Sequence, residues 1–115
     1  MKQRIEGSFF PKTYMATQMT GGNGEGYTFE LISISRAAKC PKCEDESTHD
    51  HGHQDRTVRD LPILGESVTL IIAQKRYICG NSRCKVGVFT EQNDFVSPYY
   101  HFTERCRRYM LRSQP

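Results

Sequence analysis

Two pairs of cysteines constrain the fold of this 115-residue chain more than any other feature of its sequence. Cys40 and Cys43 form a C-x2-C turn, Cys79 and Cys84 form a C-x4-C turn, and 35 residues separate the two turns. Each short turn can place two sulfurs on one side of a metal ion, and four thiolates suit the tetrahedral coordination of zinc. The paired turns therefore predict one structural zinc ion at which distant parts of the chain meet.

Other uses of these cysteines remain to be weighed against zinc. Two disulfides would require an oxidising compartment, whereas the start, MKQRIEGSFF, lacks the apolar stretch of a secretory signal. We therefore expect a cytoplasmic protein with reduced thiols. A thiol-exchange role for the first turn would need Cys40 to open a helix, and no helical period follows it. Four protein ligands leave no open position, so we expect no catalysis by the zinc.

Length and charge narrow the class of protein further. A chain of 115 residues fits one domain with a small core, for which a structural metal is a common support. No apolar run approaches the ~18 residues of a membrane span. Residues 1–55 carry 6 Lys/Arg and 8 Asp/Glu, whereas residues 56–115 carry 10 and 5. The basic second half is a candidate surface for an acidic partner, and an ordinary solvated surface is the alternative interpretation.

The hydrophobic pattern predicts a mostly β protein. TYMATQMT (13–20) and YTFELISIS (27–35) alternate loosely between apolar and polar residues, and the glycine-rich GGNGEG between them predicts a β-hairpin. SVTLIIAQKRYIC (67–79) is the clearest strand, and VGVFTEQ (86–92) is its expected partner. Residues 44–55 are interpreted as a polar loop, and the chain from 56 to 66 as a short extended segment that ends in a turn.

The C-terminal part has a different character. TERCRRYML (103–111) predicts a short helix with Thr103 as its N-cap. On this helix Cys106 would share one face with Phe102, Tyr109 and Met110, so we interpret it as a small core residue.

The predicted fold class is small α+β, mostly β: a zinc ribbon with an N-terminal β-hairpin and a short C-terminal helix. Residues 1–26 are expected to hold an N-terminal segment and the first hairpin strand, and residues 27–96 the zinc-ribbon domain. Residues 97–115 are expected to hold a basic helix, the start of a helical region that is cut off.

Three histidines alternate in the HDHGH stretch at positions 49, 51 and 53. They could bind a second metal or replace a cysteine as a zinc ligand. A polar, solvent-exposed loop is the alternative that this composition favours.

Several motifs in this order resemble one known domain. CPKC is followed by HGHQDRTVRDLPILG, then by VTLIIAQKRYICGNSRC and VFTE. This series resembles the amino-terminal zinc-finger domain of the ISL-three family of bacterial insertion-sequence transposases over about residues 27–112. The resemblance implies that the four cysteines are the metal ligands, and that His51 and the segment 56–62 form a linking motif. It also implies that YYHFTERCRR leads into a helical DNA-binding region.

The sequence departs from this family in two respects. Glu44 follows the second cysteine where the family usually has glycine, which can change the turn but removes no ligand. The family's catalytic core, with its Asp/Asp/Glu triad, is expected to be absent, and Asp60 has no carboxylate partners arranged for two-metal chemistry. We therefore expect no enzymatic activity, and interpret the chain as a fragment, a truncated element product or a free-standing domain.

The resemblance implies a non-enzymatic, zinc-binding module whose partner is DNA, serving transposition or the recognition of element ends. The alternative is a stand-alone protein-interaction module that regulates or inhibits a transposase, with a full-length transposase or a second copy as partner. No membrane and no small-molecule substrate is expected. The candidate phosphate-contacting residues are Arg56, Arg59, Lys75 and Arg76, with Arg105, Arg107, Arg108 and Arg112 as a second patch.

Within this set, residues 56–76 are expected to form the main nucleic-acid contact. If the zinc pins the C-x4-C turn beside the segment 56–60, four cations converge near one surface. Four phosphate contacts predict a slope of log K against log salt of about −3.6 on duplex DNA. The alternative for Arg59 is an ion pair with Asp60 or Glu66 that merely stabilises the turn.

Overall fold

The computed structural model describes residues 10–112. The start of the predicted N-terminal segment, residues 1–9, and the end of the C-terminal segment, residues 113–115, lie outside the described residues. The elements in chain order are β1 Tyr14–Gly21, β2 Tyr27–Ser33, β3 Ala38–Lys39, β4 Glu46–Ser47, β5 Asp50–Ile63, β6 Glu66–Ile78, β7 Val88–Thr90 and α1 Glu104–Arg112.

The main sheet has the order β1-β2-β6-β5. Strands β1 and β2 are antiparallel, which confirms the predicted hairpin. Its turn requires glycine at Gly21, which has φ 107° and where an added Cβ would lie 2.0 Å from the Gly26 carbonyl oxygen. The carboxylate of Glu66 accepts hydrogen bonds from the backbone N–H of Gly24 and Gly26, at 3.1 and 2.9 Å, and so ties this turn to the start of β6.

Strand β6 is the centre of the molecule. It pairs in parallel with β2 through residues 68–73 and in antiparallel fashion with β5 on its other side. Strand β7 pairs with the end of β6 at Arg76–Ile78, confirming the predicted partner strand. Because Tyr77 pairs with both Phe89 of β7 and Asp50 of β5, β7 lies on the same side of β6 as β2.

Strand β5 corrects the predicted loop at residues 44–55. The structure continues the strand back to Asp50, so that the His-bearing segment is paired with β6. The side chains from His51 to Asp55 are nevertheless exposed. The segment is thus a polar strand at the sheet edge, held by backbone pairing to an apolar neighbour, and it has no apolar alternation for a sequence pattern to detect.

Two hydrophobic clusters lie on opposite faces of the sheet. The larger contains Leu70 and Ile72 of β6, together with Leu31 and Val58, and is covered in part by Val96. The smaller contains Cys40, Tyr77 and Phe89. Since successive side chains of a strand point to opposite faces, Tyr77 projects from the face opposite Leu70 and Ile72. The cysteine turns therefore pack on one face while the C-terminal segment covers the other.

The helix α1 is joined to β5 by a buried polar group. Thr103 Oγ accepts a hydrogen bond from the Cys106 N–H at 3.2 Å, which confirms the predicted N-cap. The same hydroxyl donates to Asp60 at 2.7 Å, and Asp60 also receives the guanidinium of Arg105. Cys106 is buried as expected, but Tyr109 and Met110 are exposed, so the predicted apolar helix face extends little beyond this cysteine.

The predicted fold class is confirmed: the described residues form a mostly β protein with an N-terminal hairpin and one short helix near the C-terminal end. Across residues 10–112, α1 is too short and too polar to cross a membrane.

Candidate metal centre

The four cysteines of the two turns come together in space. All four sulfurs lie within 4.8 Å of one another. Cys40 Sγ is 3.7 Å from Cys84 Sγ, and Cys43 Sγ is 3.5 Å from Cys79 Sγ. These separations exceed the ~2.05 Å of a disulfide and approach the ~3.8 Å between sulfurs of a tetrahedral site with ~2.3 Å zinc–sulfur bonds. The donor set and its spacing fit one zinc ion.

Backbone geometry delivers each pair of sulfurs. In the first turn the Glu44 N–H donates to the Cys40 carbonyl at 2.9 Å, and the Cys40 N–H donates to Asp45 at 2.9 Å. In the second, the Cys84 N–H donates to the Asn81 carbonyl at 3.0 Å. The short strands β3 and β4 close the first turn, and β6 and β7 close the second. Each pair of ligands is therefore held on a hydrogen-bonded support.

The electrostatics of the thiol cluster favour a cation. The backbone N–H of Cys43, followed by that of Lys42, lowers the pKa of Cys40 to about 7 against the effect of burial. The backbone N–H of Asn81 acts in the same direction on Cys79, but burial and the neighbouring thiols outweigh it and raise the pKa of Cys79 to about 12. Several thiolates at this spacing repel one another, so a divalent ion is needed for all four to ionise.

Glu44 occupies a strained position in the first turn. Its φ is +66°, in the left-handed region where a Cβ is unfavourable. Glycine has no such penalty, which gives a physical reason for the glycine that the transposase zinc fingers usually carry here. The glutamate leaves all four sulfurs in place, so the departure noted in the sequence affects the turn and not the ligand set.

These features define the class of the site: four cysteines on two hydrogen-bonded turns at the end of a small sheet, which is a zinc ribbon. Residues 36–84 match the protein family described as the zinc-finger of transposase IS204/IS1001/IS1096/IS1165. The resemblance found in the sequence is confirmed for this segment, which covers less than half of the chain. Comparisons with curated proteins and with solved structures gave no significant match. Residues 36–84 are thus similar to the zinc-ribbon domain of these transposases, and their four clustered cysteines suit one structural zinc.

The histidines do not join the cysteine site. Among residues 10–112, the four cysteines are the one group of three or more His, Cys, Asp or Glu side chains arranged to hold a metal ion. His51 and His53 are exposed on β5, and His53 lies 3.6 Å from Asp55. The polar-surface interpretation describes these side chains, although the backbone that carries them is a strand.

The predicted phosphate contacts do not share one surface. Arg56 pairs across the sheet with Ile72 and Arg59 with Thr69, and paired residues project from the same face. Arg56 and Arg59 therefore lie on opposite faces of β5. Lys75 and Arg76 are consecutive in β6 and also alternate. The geometry gives two cations to each face instead of four to one.

Several of these cations already make internal contacts. Arg56 donates to the carbonyl oxygens of Ser97 and Tyr100, at 2.9 and 2.6 Å. Lys75 donates to the Ser35 carbonyl at 2.8 Å. The remaining engaged cations are Arg105, bound to Asp60, and Arg107, which is 2.9 Å from Glu104. Within residues 10–112, no hydrogen bond or ion pair engages the side chains of Arg59, Arg76, Arg108 and Arg112.

Asp60 has a role that the sequence did not indicate. It is 4% exposed, and its carboxylate accepts from Thr103, Arg105 and the Leu61 N–H. Because Thr103 and Arg105 lie at the start of α1, these hydrogen bonds join α1 to β5. The alternative ion pairs for Arg59 are not formed, because Asp60 binds Arg105 and Glu66 binds the glycine turn. A sequence pattern could not indicate this pair, because 45 residues separate Asp60 from Arg105.

Proposed function

We propose that this chain is a non-enzymatic DNA-binding module that serves DNA transposition by contributing to the recognition of element ends. The observation that carries the proposal is the assembled four-cysteine site within a segment that matches a transposase zinc finger. The module acts in the cytoplasm, where thiols stay reduced and available to zinc. The zinc holds the two turns together, and the contact with DNA comes from cationic side chains on the surface of the sheet and of α1.

The contact is proposed to rest on arginines that make no internal ion pair. These are Arg108 and Arg112 of α1, together with either Arg59 or Arg76 of the sheet, which project from opposite faces and cannot meet the same stretch of duplex. A phosphate can bind them without breaking an existing contact. The engaged cations, Arg56, Lys75, Arg105 and Arg107, contribute at longer range because they remain charged within their contacts. Phosphate contacts of this kind supply affinity and orientation but do not read sequence.

The test compares three double variants of the zinc-loaded protein on duplex DNA. Arg59→Ala with Arg76→Ala removes the sheet contact whichever face binds, and Arg108→Ala with Arg112→Ala removes the two contacts of α1. Lys12→Ala with Arg36→Ala is the matched control, since both residues are exposed and the charge change is the same. The α1 pair should reduce the magnitude of the slope of log K against log salt by about 1.8 and the sheet pair by about 0.9, at ~0.9 per contact.

The control pair should leave that slope near its parent value. Equal losses in all three variants would show that net charge alone governs binding and would contradict the assignment of the contacts. If the parent shows no affinity for duplex DNA at low salt, the DNA-binding function itself is wrong. Cleavage of supercoiled DNA with Mg²⁺ by highly purified protein, abolished by Asp60→Asn, would contradict the non-enzymatic proposal.

A second candidate function, protein interaction, is favoured by exposed apolar residues on the sheet face opposite the main core. Met15, Ile32 and Ile34 are 48, 37 and 49% exposed. Met15 pairs with Ile32 and Ile32 with Ala73, so these residues form one row across three strands of the face opposite the main core. The same face carries Glu30 and Arg59, with opposite charges. A surface with apolar residues and both charges is suited to a second copy of this chain.

Equilibrium sedimentation separates the two functions. A dimer that forms without DNA and dissociates in Ile32→Lys, while duplex affinity is retained, supports self-association. A parent that stays monomeric at high micromolar concentration contradicts it.

A further inference from the structure

Two adjacent tyrosines stand exposed on a rigid part of the surface. Tyr99 is 86% exposed and Tyr100 is 44% exposed. They belong to the segment between Val96 and Thr103, which crosses the outer edge of β5 before α1 begins. Exposed aromatic rings on a monomer surface often mark a contact with a ligand or partner.

The backbone that carries these rings is held from both sides. Arg56 binds the carbonyl oxygens of Ser97 and Tyr100. The Tyr99 N–H donates to Ser97 Oγ at 3.2 Å, and the Arg59 N–H donates to the His101 carbonyl at 2.8 Å. The Tyr99 ring is therefore presented to solvent from a fixed backbone, which reduces the entropy lost when a flat ligand stacks on it.

A cation lies against one of the two rings. The Arg107 guanidinium lies 3.9 Å from the centroid of the Tyr100 ring. An open groove of about 450 Å³ is lined by Tyr100, Arg107 and Arg108, together with Ser97 and Pro98. Two acids also line it, Asp94 and Glu104, and Arg107 binds the second of them. With Arg56, which binds the Tyr100 carbonyl oxygen, three arginines stand against two acids at this surface.

We propose that this surface, defined by Tyr99, Tyr100, Arg107 and Arg108, binds single-stranded DNA. Tyr99 stacks on an unpaired base and Arg108 contacts a flanking phosphate, while Arg107, held by Glu104 and the Tyr100 ring, adds positive charge at longer range. Flat aromatic faces beside cations are the combination that single-stranded nucleic acid requires, because stacking tolerates every base and cations follow the backbone. A protein partner would be expected to use Val, Leu, Ile or Met side chains as well, and none of these lines the groove, whose one aliphatic residue is Pro98.

The inference deepens the proposed function by adding a substrate class, unpaired DNA, and its test is independent of the duplex measurement. Zinc-loaded full chain is titrated with a fluorescent 12-nucleotide oligo(dT). Tyr99→Ala should weaken this binding by about 5- to 150-fold, from the energy of one base–aromatic stack. Tyr99→Phe should retain the affinity, because the ring is what stacks. Leu64→Ala is the matched control, since Leu64 is 87% exposed and lies on a different turn.

A second readout reports stacking directly. The chain has no tryptophan, so Tyr99→Trp introduces a single indole whose fluorescence should be quenched by oligo(dT) and not by poly-phosphate. The proposal is overturned if the parent has no affinity for oligo(dT) at low salt, or if Tyr99→Ala binds it as the parent does. It is also overturned if Tyr99→Ala weakens duplex and single-stranded binding equally. A parent protein that binds oligo(dT) but has no affinity for duplex DNA refutes the proposed duplex function and leaves this inference standing.

Discussion

At the scale of single residues, the zinc ribbon depends on side chains whose chemistry allows few substitutes. A thiolate sulfur binds zinc strongly, whereas a hydroxyl oxygen is a poor ligand at neutral pH. Position matters as much as chemistry, because Cys106 has the same side chain as the ligands and lies outside their cluster. Two glutamates show the same dependence on position. Glu66 stabilises the glycine turn by accepting hydrogen bonds from its backbone, whereas Glu44 lies in a turn that requires an unfavourable positive φ.

Cys79→Ser should lower the zinc content from one ion per chain to well below one. The change removes one of four thiolates, and three remaining ligands leave the site open to water and to exchange. Metal analysis after gel filtration in dilute chelator measures the effect. Cys106→Ser, the control, should keep its zinc. A Cys79→Ser protein with full zinc content and parental melting would refute the ligand assignment.

Glu44→Gly should stabilise the zinc-loaded protein. Release of left-handed strain, about 1–2 kcal/mol for a residue with a Cβ, outweighs the extra unfolded-state entropy of glycine, about 0.5–1 kcal/mol. The expected gain is roughly 0.5–1 kcal/mol in urea unfolding. Glu46→Gly, at a β4 position without a positive φ, should instead destabilise. A loss of stability in Glu44→Gly would show that the glutamate side chain makes a contact that compensates its strain.

At the scale of elements, the junction between β5 and α1 is the least local feature of the fold. Thr103 caps the helix and donates to Asp60, and Arg105 of the first turn binds the same carboxylate. The backbone of Arg59 forms hydrogen bonds with His101 and Thr103, the two neighbours of Phe102. The helix is only nine residues long, too short to be stable alone, so its position depends on this junction. The zinc ribbon and the helix are therefore coupled through one buried acid.

Asp60→Asn should destabilise the protein by roughly 2–4 kcal/mol. Loss of one partner from a fully buried ion pair costs about 3–5 kcal/mol. We expect a smaller loss here because the Arg105 side chain is 33% exposed, and solvent weakens its pairing with Asp60. Urea unfolding of the zinc-loaded protein measures the change. The control, Asp94→Asn, replaces an exposed acid and should shift the midpoint little. Equal stability of the two variants would show that the junction contributes no net stability.

At the scale of the whole molecule, the two hydrophobic clusters on opposite faces divide the structure into two parts. The cluster around Tyr77 and Phe89 adjoins the cysteines, whereas the cluster around Leu70 and Ile72 is built from the four main strands and the C-terminal segment. Among residues 10–112, β6 is the one strand that contributes buried residues to both clusters. The binding free energy of structural zinc is comparable to the stability of a whole domain, so residue chemistry alone predicts that removing zinc unfolds the chain. The separation of the two clusters limits this expectation to the part that the metal supports.

Chelation should therefore release the cysteine turns before the main sheet. Structural zinc supplies roughly 10–16 kcal/mol of apparent binding free energy, and the turns have only a small cluster to replace it. Without zinc, the amides of Glu44 and Cys84 should exchange hydrogen freely, while those of Leu31 and Leu70 stay protected. Hydrogen exchange followed by mass spectrometry of peptides from both parts is the measurement. Simultaneous loss of protection in both parts would show a single cooperative unit.

The division of the chain at residues 26 and 96 stays a prediction, as do the phosphate-contacting residues.

The zinc site was predictable from the sequence because its pattern is short-range: each cysteine turn spans four to six residues, and thiolate chemistry admits few alternatives. The hairpin, β6, β7 and the helix cap were predictable for the same reason, since period-two alternation, glycine turns and Thr103 act locally.

What the sequence by itself determined was thus the ligand set, the metal and the family resemblance, because these depend on residue type and local spacing. Tertiary structure decided that Asp50–Asp55 is strand and not loop, because the backbone of this polar segment pairs with that of the apolar strand β6. It also decided that Asp60 is a buried junction with Arg105, and that Arg56 and Arg59 project from opposite faces. Each of these depends on which distant residues pair across the sheet, a choice governed by the packing of the whole chain and not by any short stretch of it.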